Sequence, residues 1–294
     1  SSAASDVYKR QSHLKAMGKR NWNSRIPEGL ELIRSARERG LNIACDVYPY
    51  TAGSTQLMHI LPPEFIEGGT AAVMERLKGK ANRDRLRDRI ERGGEGFDNI
   101  AGMVGWENII ISTLNTPANK RFEGMTVRDI AKARGTDPVD CVCDMLIEEN
   151  CAITMIDFIT CEEDIARILN CGFASVISDS IYPASGRPHP RLYGTYARII
   201  QRFVGERRDM TLEAAVKAMT YNPAKALNIA DRGLLKEGLC ADVNVFDPAE
   251  VKERGSYADP GKCAAGMDYV FVNGKPAIAA GELTGGAFGQ VIRR

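Results

Sequence analysis

The fold is best indicated by the stretch Ser175-Val176-Ile177-Ser178-Asp179-Ser180, which is followed by His189-Pro190-Arg191. An apolar run that ends in an acid is typical of a parallel strand at the catalytic rim of an α/β barrel. Because aspartate is disfavoured within strands, Asp179 is a candidate functional residue. The alternative for Asp179 is a helix N-cap or a turn residue. Arg191 could bind a carboxylate through two hydrogen bonds, and its alternative is a surface ion pair.

Helices alternate with strands on the N-terminal side of this stretch. The pattern predicts a helix over residues 26–39 that stops at Gly40, followed by a strand over 43–48. A second helix begins after the N-cap Asp137 and leads to a strand over 153–159. Repeated helix–strand steps of this kind favour a parallel sheet with helices outside it.

A third step has Thr160 and Glu163 at capping-box spacing, ahead of the strand that ends at Asp179. Residues 60–125 interrupt the rhythm with charged helices and a strand over 106–112, and they are expected to form an insertion. The insertion is either a lid or a plain surface excursion.

The two ends of the chain differ from this pattern. Beyond residue 227 the residues alternate with period two, and Asn273-Gly274 between apolar runs predicts a hairpin, so residues 228–294 are expected to form an antiparallel β module. Residues 1–11 show no period and look like translated sequencing adaptor. They are expected to be a non-native tail, with the native sequence beginning at Ser12.

Composition narrows the class of protein. The chain has 294 residues with 44% hydrophobic residues, enough for a sizeable core. Its 39 basic and 38 acidic residues argue against a nucleic-acid or acidic-membrane partner. No apolar run is long enough to span a bilayer, so a cytoplasmic protein is expected. The eight cysteines contain no Cys-x-x-Cys pair and are expected to be reduced core residues.

Two further segments carry candidate site residues. His13 could ligate zinc, with Lys15 nearby to pair with an anionic substrate, although a surface histidine is the simpler interpretation. The segment from Asp46 to Thr55 leaves a strand and enters a turn rich in hydroxyls. Its Tyr48 and Ser54 either donate hydrogen bonds to a substrate or belong to a buried aromatic turn.

Taken together, these motifs resemble the D-aminoacylase, or N-acyl-D-amino-acid deacylase, family of the amidohydrolase superfamily. They run in order over nearly the whole chain from Ser12, which makes the resemblance specific. The matching elements are Ser12-His13-x-Lys15, Asp46-x-Tyr48-Pro49-Tyr50-x-Ala52-Gly53-Ser54-Thr55, Ser178-Asp179-Ser180, His189-Pro190-Arg191-x-Tyr193-Gly194-Thr195, Met219-Thr220 with Pro223-Ala224, and Arg232-Gly233 through Gly238-x-x-Ala241-Asp242 to Val272-Asn273-Gly274.

The resemblance implies an α/β fold: the C-terminal portion of a metal-dependent (β/α)8 TIM-like barrel over residues 12–227, with part of a small β-sandwich over 228–294. It implies one or two zinc ions and hydrolysis of N-acyl-D-amino acids to a carboxylate and a free D-amino acid. By the same resemblance His13 is a zinc ligand and Asp179 the general acid/base. The residues implied to surround the substrate are Lys15, Tyr48, Ser54 and Arg191. His189 and Asp46 are implied to support the site.

The chain also departs from the family pattern. The family's early His-x-His, its bridging Cys or Glu and its Thr-His-x-Arg strand precede the Ser-His-x-Lys segment, and this sequence lacks them. We therefore expect a fragment that by itself holds no stoichiometric zinc and has no activity. The enzyme alternative is a cyclic-amide hydrolase related to hydantoinases or dihydroorotases. Such an enzyme is not expected to show His189-Pro190-Arg191.

Overall fold

The computed structural model describes residues 9–93, 96–182 and 186–292, which form helices and three separate sheets. The strands are β1 (Lys9–Gln11), β2 (Ile43–Val47), β3 (Ala52–Gln56), β4 (Ile109–Thr113), β5 (Thr154–Phe158), β6 (Ala174–Val176), β7 (Val243–Val245), β8 (Tyr269–Val272), β9 (Lys275–Ala279) and β10 (Glu282–Leu283). The helices are α1 (Arg25–Glu38), α2 (Pro63–Ile66), α3 (Gly69–Lys78), α4 (Lys80–Arg92), α5 (Ile100–Val104), α6 (Val127–Arg134), α7 (Pro138–Glu148), α8 (Glu162–Leu169), α9 (Arg191–Arg198), α10 (Leu212–Met219) and α11 (Tyr221–Ala226).

The parallel sheet has the order β1-β2-β6 and carries the candidate site at one edge. Helix α1 buries Ile26 and Leu30 against Val47 of β2, in a core shared with residues from α8 and α10. The predicted helix–strand steps at residues 26–48 and before Asp179 are confirmed. The predicted capping box is wrong: the N–H of Thr160 donates to the Thr51 carbonyl, so the chain is still extended there and α8 begins only after Cys161.

The segment expected to be an insertion, residues 60–125, packs as part of a larger unit. Strands β3, β5 and β4 form an antiparallel sheet of their own, and the core of this unit runs from Leu57 to Ile159. The parallel pairing expected for residues 153–159 is therefore wrong, because the apolar pattern of a buried strand does not reveal its partner or direction. The cap before α7 is confirmed, since Asp137 accepts hydrogen bonds from the N–H groups of Val139 and Asp140.

The C-terminal sheet has the order β10-β9-β8-β7 and is antiparallel throughout, as expected. Asn273 and Gly274 have φ of 50° and 76°, which suits a two-residue hairpin turn. Between β7 and β8 the chain returns to the first part of the molecule. There Val251 is fully buried against Ala197 and Ile200.

The boundary drawn at Ser12 needs a correction. Residues 1–8 lie outside the described part of the chain, but Lys9–Gln11 form β1 and pair in parallel with β2. Arg10 contributes to this pairing because its Nε lies 2.5 Å from an Asp46 carboxylate oxygen. Residues 9–11 of the segment expected to be a tail are therefore part of the sheet. A non-native origin for that segment stays a prediction.

The sequence predicts that the cysteines are reduced core residues and that no segment spans a membrane. All eight cysteines are free, and five are buried, consistent with a core role: Cys45, Cys141, Cys143, Cys151 and Cys161. Within residues 9–93, 96–182 and 186–292, no helix has the length and apolar character needed to cross a membrane.

Candidate active site

The candidate residues meet where the three parallel strands end. His13 follows β1 by two residues, Tyr48 directly follows β2, and Asp179 lies three residues beyond β6. Carboxyl ends of parallel strands share one edge of a sheet, which is where barrel enzymes place their catalytic groups. The fold thus brings together segments that are more than 160 residues apart in sequence.

His13 is held in an unusual backbone conformation. Its φ is 38°, and its N–H donates to Asp46 Oδ1 at 2.5 Å. Asp46 is 2% exposed and also contacts Arg10, so its carboxylate is a fixed acceptor. The imidazole Nδ1 lies 3.0 Å from Lys15 Nζ. Asp46 therefore holds the backbone at His13 where the chain leaves the strand.

Two cations flank the ring of Tyr48. The Arg191 guanidinium lies 4.6 Å and the Lys15 ammonium 5.3 Å from the ring centroid, distances at which cation–π attraction operates. Burial lowers the pKa of Lys15, while the nearby Asp179 acts in the opposite direction. Burial raises the pKa of the Tyr48 hydroxyl, so it remains a hydrogen-bond donor. Two positive charges beside a protonated phenol suit a carboxylate ligand.

Arg191 also contacts the expected general base. Its Nη1 lies 2.9 Å from Asp179 Oδ2. Arg191 is 2% exposed, yet its Nε and Nη1 have no aligned hydrogen-bond partner in the part of the chain that the structure describes. The two charges are in contact, but donors of a buried guanidinium remain available. A buried arginine in this state is prepared to receive an oxyanion.

Asp179 does not cap a helix. The next helix, α9, begins only at Arg191 with Pro190 at its N-cap, so the N-cap interpretation is wrong. Asp179 has φ of 49°, like His13 in the left-handed region. Such backbone costs about 1 kcal/mol or more and clusters at functional sites. Both candidate residues at this edge therefore carry backbone strain.

Ser54 and Arg191 line one small cavity. Its volume is about 10 Å³, room for roughly one water molecule. A substrate cannot enter this space until the side chains around it move. Half of the lining residues carry a hydroxyl group, and the full set is Ser54, Ser112, Thr154, Ser180, Ile181, Pro188, His189 and Arg191.

His189 is a buried, neutral imidazole beside Arg191. Its Nε2 lies 3.0 Å from the Ala52 carbonyl, and its Nδ1 accepts the N–H of Arg191 at 3.0 Å. This pair of contacts assigns the proton to Nε2. Burial lowers the pKa of His189 to about 3, and the ring packs edge-on against Tyr50 and Tyr257. His189 thus joins the start of α9 to the start of β3.

Asp157 is an acid of this site that the sequence analysis did not identify. It lies on β5 opposite Gly53, is 2% exposed, and its Oδ1 has no hydrogen-bond partner among the described residues. Burial raises its pKa to about 7, against the opposing charges of Lys15 and Arg191. A Cβ on Gly53 would lie 2.9 Å from Oδ1, so glycine makes room for the acid. The available signal was an aspartate inside an apolar strand.

The donor set suits zinc only in part. His13 imidazole and Asp179 carboxylate are ligand types that zinc accepts, and a catalytic zinc takes three protein ligands. In the part of the chain described here, no three His, Cys, Asp or Glu side chains converge to hold a metal ion. The described residues therefore supply fewer ligands than a catalytic zinc site needs.

Comparison with known proteins places the chain in a family. The model of the amidohydrolase family matches residues 115–278, more than half of the chain. An N-acyl-D-glutamate deacylase of Alcaligenes xylosoxydans xylosoxydans is 32% identical over 263 residues, which cover 90% of this chain and 44% of that protein. A D-aminoacylase of the same organism is 31% identical over 283 residues, covering 96% of this chain and 48% of that protein.

Solved structures of D-aminoacylases and of an N-acyl-D-glutamate deacylase are also similar to this chain. A crystal structure of a D-aminoacylase has a TM-score of 0.74 at 30% identity and covers 98% of this chain and 50% of that one. The N-acyl-D-glutamate deacylase from Bordetella bronchiseptica, complexed with zinc and a phosphonate inhibitor, has a TM-score of 0.75 at 31% identity with the same coverage. The chain spans about half the length of these relatives. The resemblance and the α/β fold class are confirmed, and the chain belongs to the amidohydrolase family.

Proposed function

We propose that the protein hydrolyses the amide bond of N-acyl-D-amino acids, giving a carboxylate and a free D-amino acid. One arrangement carries the proposal: the buried Arg191, with donors still available, contacts Asp179 beside the second cation, Lys15. A carboxylate-binding pair next to a carboxylate base is what hydrolysis of an acylated amino acid requires. The relatives include deacylases for N-acyl-D-glutamate and N-acyl-D-aspartate, and their names support the substrate class.

Each residue has a role in this proposal. Arg191 and Lys15 bind the substrate α-carboxylate, and Tyr48 and Ser54 donate hydrogen bonds around it. Asp179 takes a proton from the attacking water and passes it to the nitrogen of the departing amine, so the carboxylate is unchanged after one turnover. His13 is the ligand that this chain would offer to zinc. A bound zinc would polarise the amide carbonyl and lower the pKa of water.

The contact between Arg191 and Asp179 implies an exchange when substrate binds. The carboxylate of Asp179 neutralises the buried guanidinium of Arg191. A substrate carboxylate replaces it as the partner of Arg191, and this frees Asp179 to face the attacking water. The small cavity beside Ser54 has to open in the same step.

The decisive assay uses the product of the whole coding sequence, supplied with zinc. We expect release of D-amino acid from N-acetyl-D-amino acids and little release from the L enantiomers. Hydantoin turnover without release of D-amino acid would replace the proposal with the cyclic-amide alternative. The preferred side chain and acyl group follow from the same panel of substrates.

The polypeptide of 294 residues by itself is a separate case. Because its described residues contain no group of three metal ligands, we propose that it retains no stoichiometric zinc after dialysis and releases no amino acid. Metal analysis that finds one tightly held zinc per chain would overturn this. The proposed partner is a small-molecule substrate, and the proposed location is the cytoplasm.

A further inference from the structure

Glu253 lies behind the site on the segment between β7 and β8. Its Oε1 accepts a hydrogen bond from the Tyr50 hydroxyl at 2.6 Å, and its Oε2 accepts one from Arg198 Nη1 at 2.9 Å. Burial raises the pKa of Tyr50, so its hydroxyl stays protonated and donates. The backbone N–H of Glu253 donates to Gln201 Oε1 at 2.8 Å. This contact holds the backbone from which the Glu253 carboxylate extends.

Arg198 extends this contact to the substrate side. Its Nε donates to the carbonyl of Pro49 at 2.6 Å, and its guanidinium lies 4.9 Å from the Tyr50 ring centroid. Pro49 is bonded directly to Tyr48, the residue flanked by the two cations of the site. A charged donor therefore holds the peptide carbonyl next to the aromatic residue that we assign to substrate binding.

Helix α9 packs closely against Tyr50 and Glu253. Arg198 ends α9, and a π-helix over Ile199–Glu206 continues from it, a rare geometry that occurs frequently at functional sites. A Cβ on Gly194 of α9 would lie 2.7 Å from the Tyr50 hydroxyl and 2.8 Å from Glu253 Oε1. The helix backbone thus approaches the Tyr50–Glu253 hydrogen bond closely, and only glycine permits this.

We propose that Glu253 is a positioning residue: through Tyr50 and Arg198 it fixes the Tyr48–Tyr50 segment and, with it, the Tyr48 ring at the substrate-binding edge. The segment between β7 and β8 is then a part of the active-site scaffold. The consequence for catalysis rests on the proposed deacylase function. The positioning of the Tyr48 ring does not depend on that function, because it is a property of the folded chain.

Fluorine NMR of the chain labelled with 3-fluorotyrosine tests the proposal directly. The Tyr48 resonance is assigned with Tyr48→Phe, and Glu253→Gln is expected to shift or broaden it. The matched control is Glu206→Gln, which removes a glutamate that pairs with Arg202 on the same π-helix. This control should leave the Tyr48 resonance in place. A purely structural role for Glu253 would lower the melting temperature without moving that resonance.

A second variant covers the case in which Glu253→Gln fails to fold. Tyr50→Phe keeps the ring and removes the hydrogen bond to Glu253, and it should move the same resonance. In the product of the whole coding sequence, Glu253→Gln should raise KM about five- to tenfold with kcat within about twofold. A Tyr48 resonance that stays at its wild-type position in both variants overturns the inference. A moved resonance in a protein that hydrolyses no N-acetyl-D-amino acid would overturn the proposed function and leave the positioning role standing.

Discussion

Arg191 Nη1 and Asp179 Oδ2 lie 2.9 Å apart, so the side chain proposed to bind substrate and the side chain proposed to transfer the proton neutralise each other. Arg191 is almost fully buried, whereas the Asp179 side chain is 35% exposed. The partner that can leave is therefore Asp179. Substrate binding and activation of the base are coupled by this one contact.

Replacing Arg191 with lysine tests the carboxylate-binding role. Lysine keeps the charge but loses the planar fork that can donate two parallel hydrogen bonds. We expect KM for N-acetyl-D-amino acids to rise about 10- to 100-fold, the equivalent of one or two charge-assisted hydrogen bonds. Arg128→Lys, at an exposed ion pair with Glu107, is the control and should leave KM unchanged. Equal KM values for wild type and Arg191→Lys would remove Arg191 from substrate binding.

The buried Asp157 makes a specific contribution to the pH dependence of stability. Its pKa is raised from 3.8 to about 7 in the folded protein. As the pH rises from about 4 to 7, the unfolded chain loses this proton while the folded chain keeps it, so the free energy of unfolding falls. At 1.36 kcal/mol per unit the loss approaches about 4 kcal/mol. Urea unfolding at pH 4 and pH 8 should show that Asp157→Asn removes this loss. An unchanged pH dependence in the variant would contradict burial of an unpaired acid.

His189 changes the pH dependence of stability in the direction opposite to Asp157. Its pKa is lowered from 6.5 to about 3. As the pH falls below 6.5, the unfolded chain binds a proton that the folded chain refuses, and stability declines by up to about 5 kcal/mol near pH 3. His189→Gln should remove this contribution and leave the opposite slope of Asp157 uncompensated, measured by urea unfolding between pH 3.5 and 7.5. Because the effects of Asp157 and His189 offset each other between about pH 4 and 6.5, each single variant should be steeper there than the wild type. An NMR titration in which the His189 imidazole becomes charged near pH 6 would refute the neutral assignment.

Local sequence signals predicted the elements that depend on short-range rules. The N-cap at Asp137, the hairpin at Asn273-Gly274 and the stop after α1 are each decided by residues within one turn, and all three are present. The residues near the strand ends were also identifiable, because an acid or histidine beside an apolar run is conspicuous. Caps, tight turns and helix ends can be predicted in this way because they depend on neighbouring residues in one segment of the chain.

Long-range pairing could not be predicted in the same way. Strand β5 has the composition of a barrel strand, but it pairs antiparallel with β3 and β4, which is decided by contacts across 40 to 100 residues. Asp157 was missed for a related reason, since its surroundings come from Gly53, Lys15 and Arg191 on other segments. Glu253 gives no local signal at all, because its partners Tyr50 and Arg198 are distant in sequence.

The most direct test of the account is the rate of D-amino-acid release by Asp179→Asn, compared with wild type in the zinc-supplied product of the whole coding sequence. Asparagine tolerates the left-handed backbone at this position, so the melting temperature should change little. Asp88→Asn, at an exposed ion pair, is the control and should keep full activity. With metal content measured in every sample, we predict that zinc stays largely bound in Asp179→Asn while turnover falls by about two to four orders of magnitude. Near-normal turnover by a folded, zinc-loaded Asp179→Asn protein would contradict the account.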